Sequence, residues 1–163
     1  MLTTSQQATL KAFIANDPIL NAQPLNSDGA YAIAAAINQD ATPAFIVWRT
    51  SVDTDEVMRN GMDWTRVDNL SVGKARIWEW MTKPGSFNPS KANVRAGIDA
   101  TWVGTTPDLA VRAAVYAHCK RNASVVEKLL VTSGSGTDAT PAVMGFEGPI
   151  SYQDVEAARN SNG

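Results

Sequence analysis

Apolar residues recur at helical spacing through most of the chain. Leu10, Phe13 and Ile14 share one face of a first helix. Thr3 or Thr4 opens it, with Gln6 or Gln7 three residues on, as a capping box requires. Asn16-Asp17-Pro18 closes it, because the residue before proline is driven out of the helical region. A polar loop over 18–27 leads to a second helix, "GAYAIAAAINQ", started by Ser27 or Asp28 and ended by Thr42-Pro43. Its alanines allow another helix to approach closely. "AFIVWRTSV" is β-branched and aromatic over a short run, which predicts a strand or an extended connection. Thr50 and Asp53 are candidate caps for the helix in "TDEVMRN", and Gly61 supplies its stop.

The next segment, "DNLSVGKARIWEWM", predicts a helix from the N-cap Ser71 to about Thr82. Val72, Ile77, Trp80 and Met81 form its expected apolar face, and Trp78 falls off that face near Lys74. Asn88 and Pro89 then start a helix on which Val94, Ile98 and Trp102 are spaced by four. Thr106 and Pro107 start another, with Leu109, Ala113, Tyr116 and Ala117 on the expected inner side and Val111 and Val115 on its flank. Ser124 and Glu127 form a further capping box. The glycine-rich residues 132–141 read as a hinge, "AVMGFEG" as a short strand, and the segment after Ser151 as a final helix. The strand lacks an evident hairpin partner, so it pairs with "FIVW" or with another chain. The expected fold is therefore mainly α: a compact helical domain over 1–131, with one small β element, and a C-terminal arm over 132–163 that packs on the same domain or on a neighbour.

Composition adds that 163 residues with 44% hydrophobic and 18% charged side chains suit one globular domain. The net charge of −2 gives no bulk signal for nucleic acid, but charge is uneven along the chain. Residues 1–70 carry eight acids and four bases, 71–132 four acids and nine bases, and 133–163 four acids and one base. A basic middle and acidic ends suit contacts between subunits, though chance variation along a solvated surface gives the same pattern. Cys119 is the single cysteine, which excludes an internal disulfide and a thiolate cage, and fits a reducing compartment. No leader or membrane-length apolar run is expected.

Candidate chemistry is sparse. His118 and Cys119 are adjacent in a helix, and neighbours there point about 100° apart, which does not make a catalytic pair. Gly134 and Gly136 are followed by Thr137-Asp138 rather than the lysine of a phosphate-binding loop. Asp53, Asp55 and Glu56 lack the ligand spacing of a calcium loop, and Glu79 has no partner acid at useful spacing. No catalytic, metal or cofactor site is expected. Lys74, Arg76, Lys83, Lys91 and Arg95 are candidates for a basic contact surface, with Trp78 beside it and Trp80 and Trp102 assigned to the core. Phe146 and Tyr152 are the contact candidates of the C-terminal arm.

The stretches "ATPAFIVWRTSV", "DNLSVGKARIWEWM", "NPSKANVRAGIDATW" and "SGTDATPAVMGFEGPISYQDVEAAR" resemble small proteins of the structural modules of tailed bacteriophages and prophages. The likeness spans about Leu10 to Arg159 and carries no catalytic motif. It implies a non-enzymatic virion part, assembled in the host cytoplasm without a membrane or cofactor. A head–tail connector or adaptor, forming an oligomeric ring at the portal vertex, best suits the helical content. Portal and tail proteins would be its partners, with passing contact to packaged DNA. A tail-completion or terminator protein, a capsid decoration protein, and a nucleic-acid-handling protein using the basic middle are the alternatives.

Overall fold

The computed structural model describes residues 1–161. Among them the chain is mainly helical, with three small two-stranded sheets where the sequence suggested one β element. It begins with α1 (Thr4–Asn16), α2 (Pro18–Asn21) and α3 (Ser27–Ile37), then β1 (Ile46–Trp48) and β2 (Val52–Asp53). Next come α4 (Thr54–Arg59), α5 (Trp64–Asp68), α6 (Val72–Thr82), β3 (Ser86–Phe87), α7 (Ala92–Thr101) and α8 (Thr106–His118). β4 (Lys120–Asn122), α9 (Val125–Leu129), β5 (Val131–Ser133), β6 (Val143–Met144) and α10 (Tyr152–Asn160) complete it.

The chain forms two compact units. Unit 1 combines Met1–Val47 with the segment from Asn122 onward, and unit 2 is the stretch Trp48–Arg121 between them. β1 and β4 form one of the two-stranded sheets. The division thus falls at 47/48 and 121/122.

In unit 1, α10 packs against α1 and α3. Leu10, Ile14, Ile33, Ile37, Val126, Val155 and Ala158 make the center of its apolar core. The C-terminal segment is therefore part of this unit's core. Asn38 fixes its approach: its amide donates to the Ile150 carbonyl at 2.9 Å and its oxygen accepts from the Ile150 N–H at 3.0 Å. β6 finds its partner in β5, antiparallel, with Val131 opposite Met144. Ala142 also bridges Val47 in parallel, so the "FIVW" contact is made as well. Residues 134–136 are a packed turn. Gly136 is buried at φ +72°, and a Cβ there would lie 2.1 Å from the Phe45 ring.

Several helix starts follow local capping. Thr3 and Gln6, Ser124 and Glu127, and Ser151 and Asp154 form complete capping boxes. Asp17 does more than stop α1: its carboxylate accepts from the N–H groups of Ile19 and Leu20 and starts α2, where a loop was expected. Asn88 does not cap α7. It accepts instead from the Ser90 N–H and hydroxyl, a local turn that delays the helix to Ala92. α8 is capped by Thr105 rather than Thr106.

Unit 2 holds a second set of buried side chains, with Val52, Val57, Trp78, Ile98, Trp102, Val111, Val115 and Cys119 all under one tenth exposed. Val52 and Phe87 face each other across the antiparallel β2–β3 pair. The Trp78 and Trp102 rings meet edge to face, with centroids 5.3 Å apart. Arg66 pairs with Asp108 at 2.8 Å, and the Asp108 carboxylate also accepts from the Thr105 hydroxyl at 2.7 Å.

Candidate interaction surface

The buried face of α6 is centered on Trp78. Lys74, Ala75, Met81 and Thr82 are half-buried around it, at helical spacings of three and four. The opposite face carries Val72, Arg76, Ile77 and Trp80. Trp80 is 74% exposed and Val72 76% exposed, while Trp78 is 4% exposed. The roles expected for the two tryptophans are thus exchanged: Trp80 is on the surface and Trp78 is in the core. The cause is geometric. α6 has apolar residues nearly all round, and residues two apart lie about 200° apart, so only one of the pair enters the core. Ala75 and Thr82, which pack without adding bulk, mark the inner face.

The five expected basic residues do not act together. Lys74 donates its ammonium to the Val103 carbonyl at 3.0 Å. Arg95 donates to the carbonyls of Pro89 at 2.7 Å and Ser90 at 2.8 Å, and its guanidinium sits 5.0 Å from the Trp48 ring center. These two hold unit 2 together. Arg76, Lys83 and Lys91 are exposed, and Lys91 is the N-terminal flanking residue of α7. Among the described residues Arg76 has no hydrogen-bond or ion-pair partner. Lys83 and Pro84 join Trp80 around a shallow cavity of about 400 Å³. The surface that emerges is a stripe of Val72, Arg76, Ile77 and Trp80, ending at Lys83. Three of its five members were not among the expected contact residues.

In unit 1, Phe146 is half-buried against the apolar core. Tyr152 packs on that core too, and stacks on the 56%-exposed Tyr31 with ring centroids 4.1 Å apart. Tyr31 was missed because its helix is read as an alanine face. Those alanines are small enough to pack on either side, and the tyrosine takes the outer one.

Arg49, Glu56 and His118 form a titratable cluster in unit 2. Arg49 grips both Glu56 carboxylate oxygens, at 2.9 and 3.1 Å, and also donates to the His118 carbonyl at 3.0 Å. The His118 ring nitrogens face Glu56 at 3.1 Å and the Asn60 carbonyl at 2.9 Å. His118 is the last residue of α8, and Cys119 is its C-cap, not the mid-helix positions expected. Burial pushes the Cys119 thiol up to about 12, far from a thiolate nucleophile. Hydrogen bonds from Arg49 and then His118 hold the Glu56 carboxyl below its ordinary range. A carboxyl with a lowered folded-state pKa stabilises the fold above its unfolded pKa, and that stabilisation is lost as pH falls through the folded value. Glu56→Gln will therefore destabilise the protein most near neutral pH, and the gap to wild type will shrink as pH drops below the carboxylate range. Thermal melts across that range check this; a gap that stays constant would show that the charge of Glu56 contributes nothing.

Among the described residues no group of three or more His, Cys, Asp or Glu side chains is placed to hold a metal ion. No described helix is long and apolar enough to cross a membrane. Comparison with family models, curated proteins and solved structures finds no match to the chain.

Proposed function

We propose that this chain is a non-enzymatic structural part of a tailed-phage virion, a head–tail connector or adaptor that works as an oligomeric ring at the portal vertex. The observation that carries the reading is the outward stripe of α6. An exposed tryptophan, an isoleucine and a valine with an unpaired arginine make a contiguous apolar and cationic surface, of the kind that marks a protein contact. The mainly helical fold favors the adaptor over terminator or decoration roles, for which more strand is expected. The resemblance of the four quoted stretches to phage structural-module proteins supplies the setting. The basic set of unit 2 favors a protein partner over duplex DNA, since Lys74 and Arg95 are turned to backbone carbonyls. Cryo-electron microscopy of the portal vertex in purified particles tests this. A ring of this chain between portal and tail is expected. Its presence on the capsid lattice or tail tip instead would overturn the connector role, and its absence from particles would overturn the virion role.

A further inference from the structure

Unit 1 carries eight acids and three bases, a net −5, and unit 2 eight acids and eleven bases, a net +3. The two units therefore carry net charges of opposite sign. The α6 stripe of unit 2 is apolar with Arg76 and Lys83, and Glu79 lies on its flank. Unit 1 holds its counterpart. Tyr31 and Tyr152 stack at 4.1 Å on the α3–α10 pair. Asp28 precedes Tyr31 by one helical turn, and Glu156 follows Tyr152 by one. Leu25, 90% exposed, lines a shallow cavity of about 110 Å³ with Glu156. Arg159 also borders that cavity, but both its terminal nitrogens donate to the Gln23 and Pro24 carbonyls at 2.8 Å. The result is an aromatic and aliphatic surface edged by two carboxylates.

We propose that the α6 stripe of one copy docks on the Leu25–Tyr31–Tyr152 surface of the next, with Arg76 and Lys83 meeting Asp28 and Glu156. This rests on the reading of the protein as a self-associating virion part, and it names the two faces of the contact. A stripe-to-stripe dimer brings four cations together with only the two flanking Glu79 carboxylates, whereas the heterologous pairing sets cations against carboxylates and apolar groups against apolar groups. DNA is the weaker partner, because three of the five stripe members are uncharged and apolar. Each copy uses its stripe on one neighbor and its acidic face on another, so the contact propagates from copy to copy.

The test is sedimentation equilibrium of the full chain as wild type, as Arg76→Glu, as Glu156→Arg, and as an equimolar mixture of the two variants. Wild type will associate, and each variant alone will associate at least about tenfold more weakly, since like charges then face each other. The mixture will recover association at 1:1 composition, because the intact stripe of the Glu156→Arg copy meets the intact acidic face of the Arg76→Glu copy, and the two reversed charges oppose each other in the other pairing. Melting curves matching wild type establish that the variants fold; Asp28→Lys, at an exposed position, replaces Glu156→Arg if that variant does not. Wild type that stays monomeric at every concentration would overturn both this contact and the self-association beneath it. Variants that associate as tightly as wild type would overturn the contact and leave the ring reading standing. Weakened variants that do not complement each other would overturn the pairing of these two faces.

Discussion

Trp102→Ala will cost about 3–5 kcal/mol, the usual loss for deleting a packed tryptophan. Trp102 is the largest fully buried side chain of the protein, at 0% exposed. It follows α7 directly, where its backbone N–H donates to the Ile98 carbonyl at 3.0 Å. Its loss also strips Trp78 of its edge-to-face partner. A domain of this size is stable by about 5–15 kcal/mol in total, so a fifth or more of the margin goes with one side chain. Denaturant unfolding followed by circular dichroism reads the change. A loss below about 1 kcal/mol would mean that the ring is not packed as described. Trp102→Phe is the informative companion. The buried indole nitrogens of Trp78 and Trp102 have no hydrogen-bond partner among the described residues. A buried donor left unpaired costs about 1–3 kcal/mol. Phenylalanine removes that donor at position 102 as it removes volume, so the two effects offset and the variant stays close to wild type.

Gly29→Ala will also destabilise, by about 1–3 kcal/mol, against what helix propensity alone predicts. Gly29 lies in the first turn of α3, three residues after its N-cap Asn26, and alanine is the better helix former. Space decides the other way. A Cβ on Gly29 would lie 2.1 Å from the Pro24 carbonyl oxygen and 2.9 Å from the Pro24 carbonyl carbon and nitrogen. All three are backbone atoms, so no side chain can rotate to make room. The turn itself is held by the two Arg159 bonds to Gln23 and Pro24. Thermal melts give the sign directly. A raised melting temperature would mean that the turn over 23–26 yields freely, and that the close approach contributes nothing to the packing of α3.

Elements set by local chemistry were legible in the sequence. Ser71 and Ser151 cap the helices that their positions predicted, and the final helix, the 72–82 helix and the short strand in "FIVW" are all present. The spacing of Val94, Ile98 and Trp102 also gave the buried face of α7. What periodicity did not resolve was which face turns inward on helices with apolar residues all round. On α8 the buried residues are Asp108, Val111 and Val115, and Leu109 and Ala113 are exposed, the reverse of the expected arrangement. Asp108 carries the explanation: its carboxylate is taken inward by Arg66, a residue more than ten turns of helix away in sequence, and no local pattern announces such a pair. The Trp78–Trp80 exchange has the same origin. Because the surface stripe depends on it, the candidate surface was only partly visible: Arg76 and Lys83 were in the expected set, while Val72, Ile77 and Trp80 were assigned to the core. β5 went unseen as a strand because three residues of mixed polarity make no alternation to read.

A ribosome making this chain delivers α1 and α3 long before α10, the helix on which both pack. Unit 2 is one uninterrupted stretch and is synthesised in full while unit 1 still lacks its closing segment. Until Val155 and Ala158 emerge, Leu10, Ile14, Ile33 and Ile37 lack the neighbors that bury them. Synthesis therefore completes unit 2 before the two flanks of unit 1 can close over each other. Translation that stops short of α10 leaves α1 and α3 with uncovered apolar faces, which are ready substrates for chaperones and proteases.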